Sequence, residues 1–387
     1  MKRLVIAILA FSALAISHPG AAPAATERLL YVGTYTAEFN PNSQSKGIYA
    51  FRLNDDTGAL TPLGLAATTV NPSYLTASKD GRFLFAVNEL QNKDGAPAGF
   101  VTSYAIDKAT GMLTLLSSQL TKGAGPCQLA LDQTGRYLAV ANYNGGTFAL
   151  FPVSADGTLS PLTQLVAGEA TTGADGASLP HLAHMVQFDA TNKFLIGDDK
   201  GLNKLVVFKF DVSKGTLTPN DPPSASIPQP KSGPRHFVFD PRETFLYSLG
   251  EQAATVTSFA WDAKRGTLTP TGTAPSTRPA GVTGGSTAEI RMHPSGKFLY
   301  ASNRSSPGTI AVFGVGPNGT LTLVEHQTTF GNTPRGVNLD PSGKWFISTN
   351  QGTGNIVVFR IDQTTGALEP VGEPLPVPMP VDVLVVN

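Results

Sequence analysis

Gly233-Pro234-Arg235-His236-Phe237-Val238-Phe239-Asp240-Pro241, continued by Phe245-Leu246-Tyr247-Ser248-Leu249-Gly250-Glu251, reads as a strand, a tight turn and a second strand. A hairpin brings its outer ends together, so Arg235 and Glu251 are expected on one side, opposite the turn near Pro241. Five more copies of the template run Pro72 to Glu89, Gly125 to Tyr143, Leu182 to Asp199, Ala288 to Arg304 and Pro334 to Gln351. Turn glycines Gly81, Gly135, Gly296 and Gly343 hold equivalent places, and Asn192 and Glu243 replace the other two.

A second repeat is a Gly-x-Leu step beginning at Gly58, Gly111, Gly157, Gly215, Gly266, Gly319 and Gly366. An alternating strand precedes each step, such as Ile356-Val357-Val358-Phe359-Arg360-Ile361, and a short strand opened by Leu-Thr-Pro or Leu-Glu-Pro follows several of them. Spacings of 46 to 58 residues between steps match four-stranded blades with long loops. The expected fold class is therefore all-β: a seven-bladed β-propeller of four-stranded antiparallel blades. Leu29 to Tyr35 reads as a second strand with no strand before it, and Pro380 to Val386 supplies the missing one. Pairing of the C-terminal strand into the N-terminal blade closes the ring and removes two exposed edges.

The mature chain, residues 26–387, is expected to form this one domain. Residues 1–25 read as a secretory signal peptide: Lys2 and Arg3, an apolar run from Leu4 to Ile16, and small residues at Ala22-Pro23-Ala24. A periplasmic or secreted monomer is expected, and no later apolar run is long enough to span a bilayer. Charge is sparse and balanced, 28 Lys plus Arg against 28 Asp plus Glu, so nucleic acid and anionic membrane are excluded as partners. Cys127 is the single cysteine, which rules out an intramolecular disulfide, and its inner-strand place suits a small buried hydrophobe. The lone Trp261-Asp262 dipeptide and Gly352-Thr353-Gly354 lack the context of a WD repeat or a nucleotide loop.

The starts of first strands and the ends of second strands should share one face beside the central channel. They gather His181, His184, Arg235, Glu251, Arg304 and Arg335 there, with Asn88, Glu89, Asn142, Tyr143, Asp198, Asp199, His236, Glu289, Asn303 and Asn350. Arginine forks bind carboxylate or phosphate, and Glu or His moves a proton, so a small anionic substrate suits this set. The structural alternatives are a loop brace for Arg235, a fixed ion pair for Glu251 and a satisfied histidine at His184. His236, following Arg235 on an alternating strand, should point into the core. Neither a metal, even at His181 and His184, nor any other cofactor is expected.

Taken in order, Gly125-Pro126-Cys127 with Ala141-Asn142-Tyr143, His184, Gly233-Pro234-Arg235-His236 with Glu251, and Leu299 to Arg304 resemble the seven-bladed lactonase family. That family includes bacterial propeller-type 6-phosphogluconolactonases and fungal carboxy-muconate cyclases. The resemblance covers the whole mature chain and implies a catalytic set of His184, Arg235, Glu251 and Arg304, with His181, Asn142, Tyr143, Asn303, Arg335 and Asn350 binding substrate. The chain departs from the family's pattern at Pro180-His181-Leu182-Ala183-His184, one residue longer than the usual Pro-His-x-His. Further departures are Asp199-Lys200-Gly201, Gly250, and the lack of an Asp after Arg304. The implied function is hydrolysis or formation of a small carboxylated or sugar lactone by general-base-assisted water attack in the axial pocket. The alternative is a non-catalytic periplasmic propeller that binds a small organic acid or serves as a scaffold.

Overall fold

Each hairpin turn is set by chemistry local to it. Asp240 Oδ1 accepts from the amides of Thr244 and Phe245, both at 2.6 Å, Asp132 and Asp189 repeat the arrangement, and Asp340 keeps the second of the two bonds, to the Trp345 amide. The turn then needs one left-handed residue. Gly135 provides it at φ 70°, while Asn192 (58°) and Glu243 (49°) adopt it despite their side chains.

The computed structural model describes residues 26–386 apart from 94, 169–177 and 273–274. The signal-peptide reading and most of the loop expected after Ala170 lie outside these residues. Among those described there is no helix, and seven four-stranded antiparallel sheets form the blades. Blade one is built from Glu27–Thr34, Gly47–Asn54 and Leu60–Thr68, with Pro380–Val385 as its innermost strand. That strand pairs Leu30 with Val385 and Gly33 with Asp382, so the ring closes as expected. The other innermost strands, blades two to seven, are Tyr74–Ala77, Pro126–Leu131, Ala183–Phe188, Pro234–Phe239, Ser286–Met292 and Pro334–Leu339.

The core lies between blades. Apolar side chains from facing sheets form a cluster at each interface, as where Phe298, Tyr300, Val337, Phe346 and Phe359 join blades six and seven. The Gly-x-Leu step has a packing cause as well as a turn role. A Cβ on Gly319 would stand 2.5 Å from the Phe245 ring of the preceding blade, and one on Gly58 would stand 2.6 Å from Trp345. Trp345 also donates its indole N–H to the Asp55 carbonyl at 3.0 Å, tying blade seven to blade one. Glycine recurs at this step because a neighbouring ring occupies the place of its side chain.

Candidate active site

One irregularity aims the side chains. In blade five the pairing steps from Pro234 with Gly250 to His236 with Leu249, leaving Arg235 as an extra residue in a β-bulge. Blade seven repeats this at Arg335, blade three at Cys127, and blades four and six at His184-Met185 and Ala288-Glu289. A bulge bends its strand and redirects a side chain, here toward the axis. In blade four Asp198 Oδ1 secures the bulge by accepting from the amides of His184 (3.0 Å) and Met185 (2.9 Å).

The ends of second strands divide by alternation. Asn142, Asn303 and Asn350 turn into their own blades, where their amides donate to Thr147, to Thr277 and Thr309, and to Thr329 and Asn355. Asp199, at the same register, accepts from Leu182 and Leu202 amides and pairs with His181 at 2.7 Å. The next residue in each blade faces the mouth: Glu89, Tyr143, Lys200, Glu251 and Arg304. The structure thus brings Tyr143, His184, Arg235, Glu251, Arg304 and Arg335 together. It places the three asparagines in bracing roles and His181 against Asp199. Glu89 was expected at this face; Lys200 was not, although it was legible from the sequence because it stands at the register of Glu251.

Glu251 is the hub. Its Oε1 accepts from Arg304 Nη2 at 2.6 Å, and its Oε2 from Lys200 Nζ at 2.9 Å. Arg235 Nε lies 3.5 Å from Oε2 while its Nη1 donates to the Ala288 carbonyl, so this guanidinium is both an ion-pair partner and a brace to blade six. Lys200 Nζ also reaches the Tyr143 hydroxyl at 3.1 Å, and the Tyr143 ring meets His184 edge-on at 5.3 Å. Across the mouth, Arg335 covers the Tyr35 ring at 5.1 Å and lies 3.6 Å from Glu89, which also accepts from Tyr35 and Ser73 hydroxyls. Lys200, Arg235, Arg304 and Arg335 are four cations to two carboxylates, an excess of two positive charges. Arg235 Nε, Arg304 Nε and His184 Nδ1 are buried with no hydrogen-bond partner in the protein.

Burial pushes the Glu251 carboxyl up, but Arg235, Arg304 and Lys200 outweigh it and hold it at about 2. Burial drives His184 well below its usual 6.5, and Arg235 adds to the effect, so the imidazole is neutral at physiological pH. Because the folded value of Glu251 lies below the ordinary 4.5, its pairing stabilises the fold above that pH and is lost as pH falls toward 2. The urea midpoint of Glu251→Gln is therefore expected to lie below wild type at pH 7, with the gap closing between pH 4.5 and 2. A gap independent of pH would contradict the triple ion pair.

Cys127 and a second cavity fall away from the chemistry. Cys127 is 3% exposed, its Sγ sits 3.2 Å from the His184 carbonyl, and burial raises its thiol far above the usual range. An aromatic disulfide reagent is expected to leave the native protein unmodified and to titrate one thiol after unfolding. A cavity of about 730 Å³ opens at the opposite end of the channel between blades two and three. Its carboxylates include Asp132, which is committed to turn amides, and no histidine lines it, so it lacks the mouth's acid–base pairing. Among the described residues no three His, Cys, Asp or Glu side chains converge to hold a metal ion.

The sequence profile described as "Lactonase, 7-bladed beta-propeller" matches residues 29–385. The 6-phosphogluconolactonase of Bacillus subtilis is 32% identical over 358 residues, covering 92% of this chain and 97% of that one. A 6-phosphogluconolactonase of Formosa agariphila is 29% identical over 342 residues, or 88% of this chain and 94% of its own. The solved structure of a periplasmic gluconolactonase from Pseudomonas aeruginosa is similar at TM-score 0.84 and 31% identity, covering 94% of this chain and 99% of that one.

Proposed function

The chain belongs to the seven-bladed β-propeller lactonase family, and we propose that it opens a small lactone by water attack at the axial mouth. The observation that carries this reading is the Glu251 hub: one carboxylate held by Lys200, Arg304 and Arg235 beside a buried neutral imidazole. In the reaction the oxygen of water bonds to the acyl carbon and the ring acyl–oxygen bond breaks. The proton taken from water passes to the departing ring oxygen, giving a hydroxy acid. Arg235 and Arg304 carry donors without partners, suited to the developing oxyanion and to an anionic substituent of the substrate.

Glu251 at about 2 is a weak proton acceptor while three cations hold it. His184 is the better candidate: burial and the cationic field keep its imidazole neutral and its lone pair free, and a bound anion that neutralises this field raises its proton affinity. The same excess charge favours a lactone bearing an acidic group. The signal-peptide reading of residues 1–25 favours a periplasmic, unphosphorylated substrate, since sugar phosphates are cytoplasmic metabolites.

The test follows acid release from a neutral aldonolactone, a carboxylated lactone and a phosphorylated one, with spontaneous opening subtracted. Catalysis above background that falls at least tenfold in both Glu251→Gln and His184→Gln supports the reading. Wild-type protein that opens none of them faster than buffer overturns it. Lys200→Met is expected to raise KM for the charged lactones about tenfold or more, the size of one charge-assisted hydrogen bond at about 1.5–3 kcal/mol, and to spare the neutral one. An equal loss on all three would remove Lys200 from substrate recognition.

A further inference from the structure

Behind His184 the channel holds a second histidine that the mouth does not use. His236 is 2% exposed, and its ring lies 5.0 Å from that of His184 at an interplanar angle of 63°. The expectation that it points into an apolar core is corrected by the bulge at Arg235, which breaks the alternation and turns His236 toward polar partners of blade six. Its Nδ1 lies 2.7 Å from Glu289 Oε1, an oxygen that also accepts from Arg291 Nη1 at 2.9 Å and the Ile290 amide at 3.1 Å. Arg291 in turn donates to the Tyr74 hydroxyl across the channel at 3.1 Å.

This column has a chemical direction. Burial pushes the Glu289 carboxyl up, but Arg291 and His236 outweigh it and hold it at about 2, so it can only accept. The proton of a neutral His236 is then on Nδ1, and its Nε2 carries a lone pair. That Nε2 is buried without a partner, and so is Nδ1 of His184. With the ring centroids 5.0 Å apart, a rotation of His184, with His236 still held by Glu289, would bring the two nitrogens within hydrogen-bond reach.

We propose that His236, oriented by Glu289, is a positioning residue for His184. It accepts from His184 Nδ1–H and so leaves the lone pair of His184 Nε2 to take the proton of the attacking water. Its mechanistic consequence rests on the lactonase reading above, and the logic is that of a base oriented by a third group.

The test records two-bond ¹H–¹⁵N spectra of ¹⁵N-histidine-labelled protein, which report tautomers, together with kcat and KM on whichever lactone the wild type opens. In wild type His184 should be a single Nδ1–H tautomer. His236→Phe keeps the ring volume, and Glu289→Gln keeps the shape while offering His236 a donor that reverses its tautomer. The first should mix the tautomers of His184 and the second shift it toward Nε2–H, and both should lower kcat about 10- to 100-fold, with KM within twofold. If His236→Phe does not fold, Glu289→Gln and His236→Gln decide. An unchanged His184 tautomer in folded variants, or a kcat loss no larger than the loss of folded protein, overturns the proposal. A wild type that opens no lactone sinks the functional reading instead, while the spectra still decide the hydrogen bond.

Discussion

Replacing Arg235 with methionine is expected to lower kcat/KM for the preferred lactone by about 100- to 1000-fold, the loss typical of removing one oxyanion donor. The side chain is 3% exposed, so its charge acts through little water, and its Nε has no hydrogen-bond partner within the protein. Lysine should not restore the rate. Its single ammonium cannot approach Glu251 and reach the Ala288 carbonyl with separate arms, as the guanidinium does. Because that carbonyl loses a donor in Arg235→Met, a fall in Tm is expected too, and rates must be referred to folded protein. A wild-type rate in the folded variant would reduce Arg235 to a brace between blades five and six.

Deleting residues 380–387 is expected to abolish cooperative unfolding. The lost strand is the innermost of blade one and pairs with Glu27–Thr34. It buries Val381, Val383, Val385 and Val386, each at most 9% exposed, and at about 1.5–3 kcal/mol per side chain that burial rivals the whole stability of a typical domain. Asp382 Oδ2 also accepts from the Leu75 amide of blade two at 2.8 Å, and Asn338 of blade seven donates to the Val383 carbonyl at 2.9 Å. One strand thus touches three blades. Circular-dichroism melts and dye binding to exposed apolar surface would check it: a sharp transition near the wild-type Tm would show that the ring holds without its closing strand.

The repeats and the closing strand were readable from residues alone because their causes are local. A turn aspartate capping amides four and five residues on, a left-handed residue after it and a glycine under an aromatic ring leave similar letters in most of the blades. Arg235, Glu251, Arg304 and His184 were readable too, as polar residues at strand ends, with the family resemblance behind them.

What each strand-end residue faces was decided by tertiary structure. Asn142 and Tyr143 are neighbours in sequence, yet one braces its blade and the other reaches Lys200 57 positions away. His236 looked like a core residue until a bulge one residue earlier changed its direction. Its partner Glu289 stands 53 positions on, and Arg291 reaches Tyr74 across 217. Such pairings come from the closed ring, which carries remote strand ends to one axis, and no local propensity encodes a distance across a channel.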